Sequence, residues 1–325
     1  MMRRRQFIAG LAGVAVAWPS AGRAQRPNTP VIGFLSGGDL QMHLVAAFRR
    51  GLGTMGFVEN QNVLIDYRST LEYDRLPAMA AEFVRRQVNA IFVGGSAAGG
   101  LAAKAATTTI PIVFACVEDP VTSGLVDSIS RPSGNITGAS FFASPMEQKR
   151  MELLHDLLPA AKRLGVLVNA SFLDANKQIK DLQDAARLSG QELLPVSAST
   201  DLDIEKAFIS LTEQHADVLL VGSDPFLFSR RDQIAAMAAR AGIPAVYNDS
   251  RYVQAGGLMS YGTIPSDAFQ QGGVYVGRFL KGAKTTDLPV VLPDRFELAI
   301  NLRMAKALGL AVPQSILLRA DKVVE

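Results

Sequence analysis

Short apolar runs alternate along this chain with longer stretches whose apolar residues recur every three or four positions. The runs include "VIGFL" at 31–35, "NVLIDY" at 62–67, "IFVGG" at 91–95, "IPIVFAC" at 110–116, "RLGVLV" at 163–168, "ELLPVSA" at 192–198 and "DVLLVG" at 217–222. Their length and their Val, Ile and Phe content predict buried strands. Between them, Leu76, Met79, Ala80, Phe83 and Val84 fall on one helical face after Asp74, and helices are predicted near 175–188 and 202–214. Strands alternating with helices imply parallel sheets wound on both faces. In such sheets ligands sit beyond the carboxyl ends of the strands.

The pattern repeats. Residues 88–120 and 216–252 each run from a strand ending in Val-Gly, through a helix, to Ile-Pro and a second strand, and "PVIGFLSGG" (30–38) resembles "RLGVLVNAS" (163–171). Positions 31 and 164 lie 133 residues apart, 91 and 218 lie 127 apart, and 111 and 244 lie 133 apart. This predicts an α/β chain of two Rossmann-like lobes with parallel sheets. Three segments read as crossings: "TGASFFASP" (137–145), "NDSRYVQAGG" (248–257) and "TDLPVVLPD" (286–294). The first lobe is then expected to hold 25–140 plus 257–290, and the second 141–256 plus 291–325. Two lobes joined by a three-segment hinge enclose a cleft.

The stretch "IFVGGSAAGGLAAKAA" (91–106) turns from strand to helix through glycines and a serine. A P-loop would need Lys and Ser/Thr after its last glycine, but Gly100-Leu101 or Leu101-Ala102 stand there. The dinucleotide pattern meets Ser96 where a glycine is required, and the nucleophile elbow meets Ala98. What remains is a helix N-terminus with backbone N–H groups and the Ser96 hydroxyl, which suits a carboxylate. It equally suits an ordinary tight turn. Asp119-Pro120 and Asp224-Pro225 follow strands in equivalent places. Asp before Pro is a helix start, since the carboxylate caps free N–H groups and Pro suits the first helical position. Asp224 has a second reading, in which it faces the cleft and pairs with a ligand ammonium. Phe141, Phe142, Phe226 and Tyr261 are candidates for an aromatic wall, with plain core as the other reading of buried Phe.

The first 24 residues change the charge picture. "MMRRRQFIAGLAGVAVAWPSAGRAQ" has a basic start, an apolar centre from Phe7 to Trp18 and small residues at Gly22 and Ala24, the pattern of an export signal cleaved after Ala24. Arg4-Arg5-Gln6-Phe7-Ile8 fits the twin-arginine form. The whole chain has 33 basic and 30 acidic residues, but residues 1–24 hold four arginines and no acid, so 29 basic residues face 30 acidic ones over 25–325. A nucleic-acid partner is not supported by that balance. Cys116 is the only cysteine, so no disulfide forms within the chain, and it ends an apolar run as a small buried hydrophobe. His43, His155 and His215 are scattered without ligand spacing or a neighbouring nucleophile. No catalytic residue, metal or cofactor is assigned.

Several segments together carry a resemblance to a family: "ENQNV" (59–63), "DRLPAMAAE", "AAKAATTTIPIVF", "RPSGNITG", "DPFLFSRRDQ", "AGGLMSYG", "FELAINLRMAKALGL" and "RADKVVE". From about residue 30 to the end the chain resembles the periplasmic substrate-binding proteins of ABC transporters, in the branch related to tryptophan and tyrosine binders. The resemblance implies the type I periplasmic-binding fold, a hinge that closes on a small-molecule ligand, and delivery to an ABC permease in the inner membrane by a periplasmic monomer. An amino acid or related carboxylate is the ligand class it suggests. Carried onto strand ends, it places ligand contacts at Ser36, Gly37, Ser96, Ala97 and Asp119 in the first lobe. In the second it places them at Asn169, Asp224 and Asn248, with Ser260 and Tyr261 on the returning segment. The "GGSAA" loop stands where relatives commonly carry a threonine. A periplasmic sensor that presents its ligand to a membrane signalling protein would share this design, and a periplasmic enzyme is a more distant rival. A sugar-responsive transcription regulator would need a helix-turn-helix ahead of Val31, where the export signal lies.

Overall fold

The computed structural model describes residues 29–141, 144–173 and 175–325. Residues 1–24, in which the sequence reading expects an export signal, and Phe142 lie outside the described residues. Among these residues two sheets form. The first takes β1 (Val31–Ser36), β2 (Leu64–Ser69), β3 (Ala90–Gly95), β4 (Ile112–Cys116) and β5 (Ile136–Ser140), all parallel, in the order β2-β1-β3-β4-β5. The second takes β6 (Arg163–Val168), β7 (Glu192–Ser197), β8 (Val218–Val221), β9 (Ala245–Tyr247), β10 (Met259–Thr263), β11 (Phe296–Asn301) and β12 (Lys322–Val324), in the order β12-β11-β10-β9-β8-β6-β7. Only β10 and β11 pair antiparallel. Each sheet has a switch point where successive strands leave in opposite directions: between β1 and β3 in the first lobe, and between β6 and β8 in the second. Side chains just past those four strands therefore meet the cleft.

The helices are α1 (Met42–Thr54), α2 (Leu76–Arg85), α3 (Ala97–Ala106), α4 (Ser144–Leu157), α5 (Ala175–Ser189), α6 (Asp201–Glu213), α7 (Pro225–Ser229), α8 (Arg231–Ala241), α9 (Ser250–Gln254), α10 (Pro265–Leu280), α11 (Leu302–Ala307) and α12 (Gln314–Leu317). In α1, Leu44, Val45, Ala47, Phe48 and Leu52 form the buried stripe. Its partner is α10, and the two backbones touch. A Cβ on Gly51 would stand 1.9 Å from the Gln270 carbonyl oxygen, and one on Gly273 would stand 2.1 Å from that of Phe48. Only glycine permits this approach. Phe34, Phe48, Phe92 and Phe269 stack beneath the pair, with ring centroids 4.4–5.4 Å apart. The second lobe has separate cores on the two faces of its sheet, one built on Leu154, Val166 and Ile300, the other on Phe208, Val221 and Tyr252.

The α/β architecture and the two lobes agree with the sequence reading, and two boundaries move. Residues 136–140 form β5, so the first crossing begins at Phe141. The sequence pattern puts residues 257–263 in the first lobe, but β10 is hydrogen-bonded between β9 and β11 in the second sheet, with Met259 opposite Val246. The physical reason lies just before it. "SRYVQ" forms α9, capped by Asp249, and Gly256-Gly257 turns the chain straight back into the same sheet. The return crossing is therefore at Ile264, and it delivers α10 to the first lobe. Val291 still bridges β5 at Ala139, so the third crossing follows it.

Candidate functional site

A cavity lies between the lobes. Its unfilled space, mouth included, is about 610 Å³. Phe34, Leu44, Val117, Phe141 and Phe269 supply apolar wall from the first lobe and its hinge, and Pro225 and Phe228 from the second. Polar groups are few: Ser36, Asp39 and Gln41 on one side, Asp224, Asn248, Asp249 and Arg251 on the other. Apolar walls with a few placed polar groups are the usual form of a small-molecule site.

Asp224 is the centre of its charge arrangement. It is 4% exposed and follows β8 at the switch point. Its Oδ1 accepts the Leu227 N–H at 2.8 Å, capping α7 as Asp-Pro predicts. Its Oδ2 accepts the Asn169 amide at 3.1 Å and, across the cleft, the Tyr73 hydroxyl at 3.2 Å. All of these donors are neutral, and among the described residues no cation pairs with Asp224. Burial raises its pKa above the ordinary carboxylate value, against the lowering by those hydrogen bonds. Asn169, past β6, is itself fixed, since its Oδ1 accepts the Ser199 hydroxyl at 2.9 Å and the Ser171 N–H at 3.0 Å. Behind Asp224, fully buried Arg150 donates to the Tyr261 carbonyl at 3.3 Å and to Ser223 Oγ at 3.5 Å, which ties the Ser223-Asp224 turn to β10.

The Ser96 loop is built differently from the expectation. Gly95 turns the chain with φ +97° and Ser96 caps α3 through Ala98 N–H. The carboxylate held there belongs to the protein. Glu118, 1% exposed, accepts the Ser96 hydroxyl at 3.0 Å and the Ala97 N–H at 2.8 Å. Those donors are therefore not open to a ligand carboxylate. Asp119, the neighbouring acid to which the sequence points, accepts the Val121 and Thr122 N–H groups of its own turn. The residue facing inward past β4 is Glu118. Adjacent acids at a strand end point to opposite sides, and the sequence does not say which is which.

Of the remaining predicted residues, Ser36 and Asn248 border the cavity together with Asp224. Gly37 lies beside them, its N–H bonded to the Gly94 carbonyl at 3.2 Å, and Ala97 is buried behind the loop. Ser260 and Tyr261 are not brought to the cavity. They belong to β10, inside the second sheet, where Ser260 is fully buried and Tyr261 stacks on Phe296 with ring centroids 6.2 Å apart. Within the proposed aromatic wall Phe141 lines the cavity, whereas Phe226 is buried in the second lobe's core. Phe34, Tyr73, Phe228 and Arg251 are site residues that the sequence reading misses. Arg251 has a signal, since it follows Asp249 by two residues at a strand end.

The lobes are in contact. Besides Tyr73 and Asp224, Arg251 reaches across to Gln41 Oε1 at 2.7 Å and to His43. It is held by Asp249, Nε to Oδ1 at 2.7 Å and Nη2 to Oδ2 at 2.5 Å, and lies 4.1 Å over the Phe228 ring. Phe172 and Ala175 of the second lobe pack against Val117, with Tyr73 and Phe141 at the edge. Among the described residues no helix is long and apolar enough to cross a membrane, and no group of three His, Cys, Asp or Glu is placed to hold a metal ion.

Comparison with known proteins agrees with this architecture. The family model for ABC transporter substrate binding proteins matches residues 29–324. A tyrosine-binding protein of Clostridioides difficile is 30% identical over 264 residues, 81% of this chain and 75% of that protein. The structure of an ABC domain from Streptococcus pneumonia in complex with L-Trp has a TM-score of 0.83 at 23% identity, covering 91% of this chain and all of that one. The ligand-free, open structure of a substrate binding protein with adhesive properties from Clostridium difficile has a TM-score of 0.65 at 27% identity, covering 91% of this chain and 99% of that one.

Proposed function

The chain belongs to the ABC transporter substrate binding protein family, and from that premise we propose that it is the periplasmic solute-binding component of an ABC uptake transporter. It captures a small solute carrying an amine between its lobes, as a monomer, and hands it to a permease in the inner membrane. It performs no catalysis. The observation that carries the amine is Asp224, a buried carboxylate on an apolar-walled cavity that accepts from both lobes and pairs with no cation among the described residues. Removing a charge from water without a partner is costly, and a ligand ammonium supplies that partner. Ligands named for relatives, tyrosine and L-Trp, carry an ammonium beside an aromatic body. Phe34, Phe141, Phe228 and Phe269 offer such a body a wall.

Contact between the lobes supports a hinge that closes over the ligand. The lower TM-score against an open, ligand-free relative, over the same share of this chain, is what a rotation of one lobe produces. Deleting the gene tests the transport role. Uptake of the radiolabelled ligand should fall, and a signalling role alone would leave uptake unchanged. Small-angle scattering tests closure, since the radius of gyration should shrink on saturation.

A further inference from the structure

Residues 70–75 belong to the first lobe and dock on the second. They follow β2, at the edge of its sheet opposite β5, where the first crossing leaves. The segment is braced on its own lobe. The Thr70 N–H donates to the Ser36 carbonyl at 3.1 Å, and the Thr70 hydroxyl accepts the Glu72 N–H at 3.0 Å. Tyr73–Arg75 then form a 3-10 turn that runs directly into α2 at buried Leu76. Hydroxyl-to-backbone bonds of this kind fix a turn.

Two side chains of the segment reach across. Leu71 packs against the second lobe's core, the one built on Phe208, Val221 and Tyr252. Tyr73 packs against the cluster of Val117, Phe172 and Ala175 and donates to Asp224 Oδ2 at 3.2 Å. Burial first, then the charges of Asp224 and Glu118, raise the Tyr73 pKa, so the hydroxyl keeps its proton and stays a donor. The surfaces beside it fit. Pro225, at the start of α7, sits over two glycines of the first lobe: a Cβ on Gly38 would stand 3.0 Å from its Cβ, and one on Gly95 would stand 3.8 Å from its Cγ. All of these contacts are made by protein with protein. Parting the lobes would return Leu71, Tyr73 and Phe172 to water, which is unfavourable for apolar surface.

We propose that residues 70–75 are a strap that latches the lobes, with Leu71 and Tyr73 as its positioning residues, and that it draws the protein into the closed form before any solute is bound. The strap rests on the hinge reading and not on the amine. Part of the ordering that capture requires is then complete in advance, and apparent affinity scales with the fraction already closed.

Pulsed electron resonance between two spin labels reads this without a ligand, whatever solute Asp224 binds. Cys116 is buried and is the only cysteine. Labels therefore go to Ala78→Cys on α2 and Glu205→Cys on α6, both exposed, on the helices that follow edge strands β2 and β7. Dialysed free of solute, the intact protein should show the short distance of this structure, alone or beside a longer one. Tyr73→Phe keeps the ring and removes the hydroxyl, and should lower the ratio of short to long about 3- to 10-fold. Leu71→Ala should lower it about 10-fold, and Leu71→Met, of similar volume, should keep it. The longer distance alone in the protein with native Leu71 and Tyr73 overturns the strap. So does a ratio that Tyr73→Phe and Leu71→Ala leave unchanged, whatever they do to the melting temperature, since that would make both residues merely structural. The short distance alone in every variant means that the lobes do not part, and the hinge reading falls with the strap.

Discussion

Replacing Asp224 by Asn separates two duties that one side chain performs. The cap on α7 uses Oδ1, and Asn caps a helix about as well as Asp. Charge is what the substitution removes. At Oδ2 the new amide would face the Asn169 amide and lose an acceptor, costing roughly 1 kcal/mol. Against that, a carboxylate whose pKa burial has raised no longer needs to be held ionised. A raised carboxyl pKa means stability that is full below the unfolded value and is lost as pH climbs through the folded value. The mutant should therefore lose that part of the pH dependence. Net stability near neutral pH should change by less than about 1 kcal/mol, or about 2 °C in melting temperature for a chain of this size. Binding of an amine should weaken far more, by ~1.5–3 kcal/mol, or about 10- to 150-fold. Paired calorimetry and thermal melting on both proteins read the two effects. Unchanged affinity in the mutant would refute the assignment of the ammonium to Asp224.

Gly273→Ala should force α10 away from α1, because the new Cβ meets the Phe48 carbonyl oxygen at 2.1 Å; overpacking of about 1–3 kcal/mol should lower the melting temperature by roughly 2–6 °C. Glu118→Ala leaves the Ser96 hydroxyl and the Ala97 N–H without their acceptor, and destabilisation of about 2–4 kcal/mol should appear in urea unfolding. His43 links closure to pH: burial first, then the Arg251 charge and that of Arg231, lower its pKa in the closed form against the opposing effect of Asp249. The closed form thus binds fewer protons, so ligand affinity should be full above the ordinary value of 6.5 and fall as pH drops below it, a slope that His43→Gln should flatten in calorimetry.

Much of the design is legible in the sequence because strands fix which residues can meet a cleft. Ser36, Asn169, Asp224 and Asn248 stand out simply as the polar residues that follow apolar runs, and the Asp-Pro pair at 224 announces its cap. Other features depend on information a linear pattern does not carry. The choice between Glu118 and Asp119 turns on one residue of strand phase. The Gly256-Gly257 turn could have led to either lobe, and it is the pairing of Met259 with Val246 that decides. Tyr73 lies in a polar 3-10 turn with no apolar period around it, yet meets a carboxylate 151 residues away. Arg251 and Gln41 are 210 residues apart, and only the packing of the two lobes brings them together.

The central claim is that the cleft binds a small solute through an amine. The most direct measurement is thermal melting of the protein against a broad set of metabolites divided in advance into compounds with and without a basic nitrogen. A ligand present at 100 times its Kd stabilises the native state by about 2.7 kcal/mol, a rise of roughly 5 °C for a chain of this size. The account predicts that the compounds giving such a rise come from the amine class, and that at the same concentration Asp224→Asn cuts the rise for each of them to about 3 °C or less. Stabilisation by compounds without a basic nitrogen, undiminished in Asp224→Asn, would contradict it.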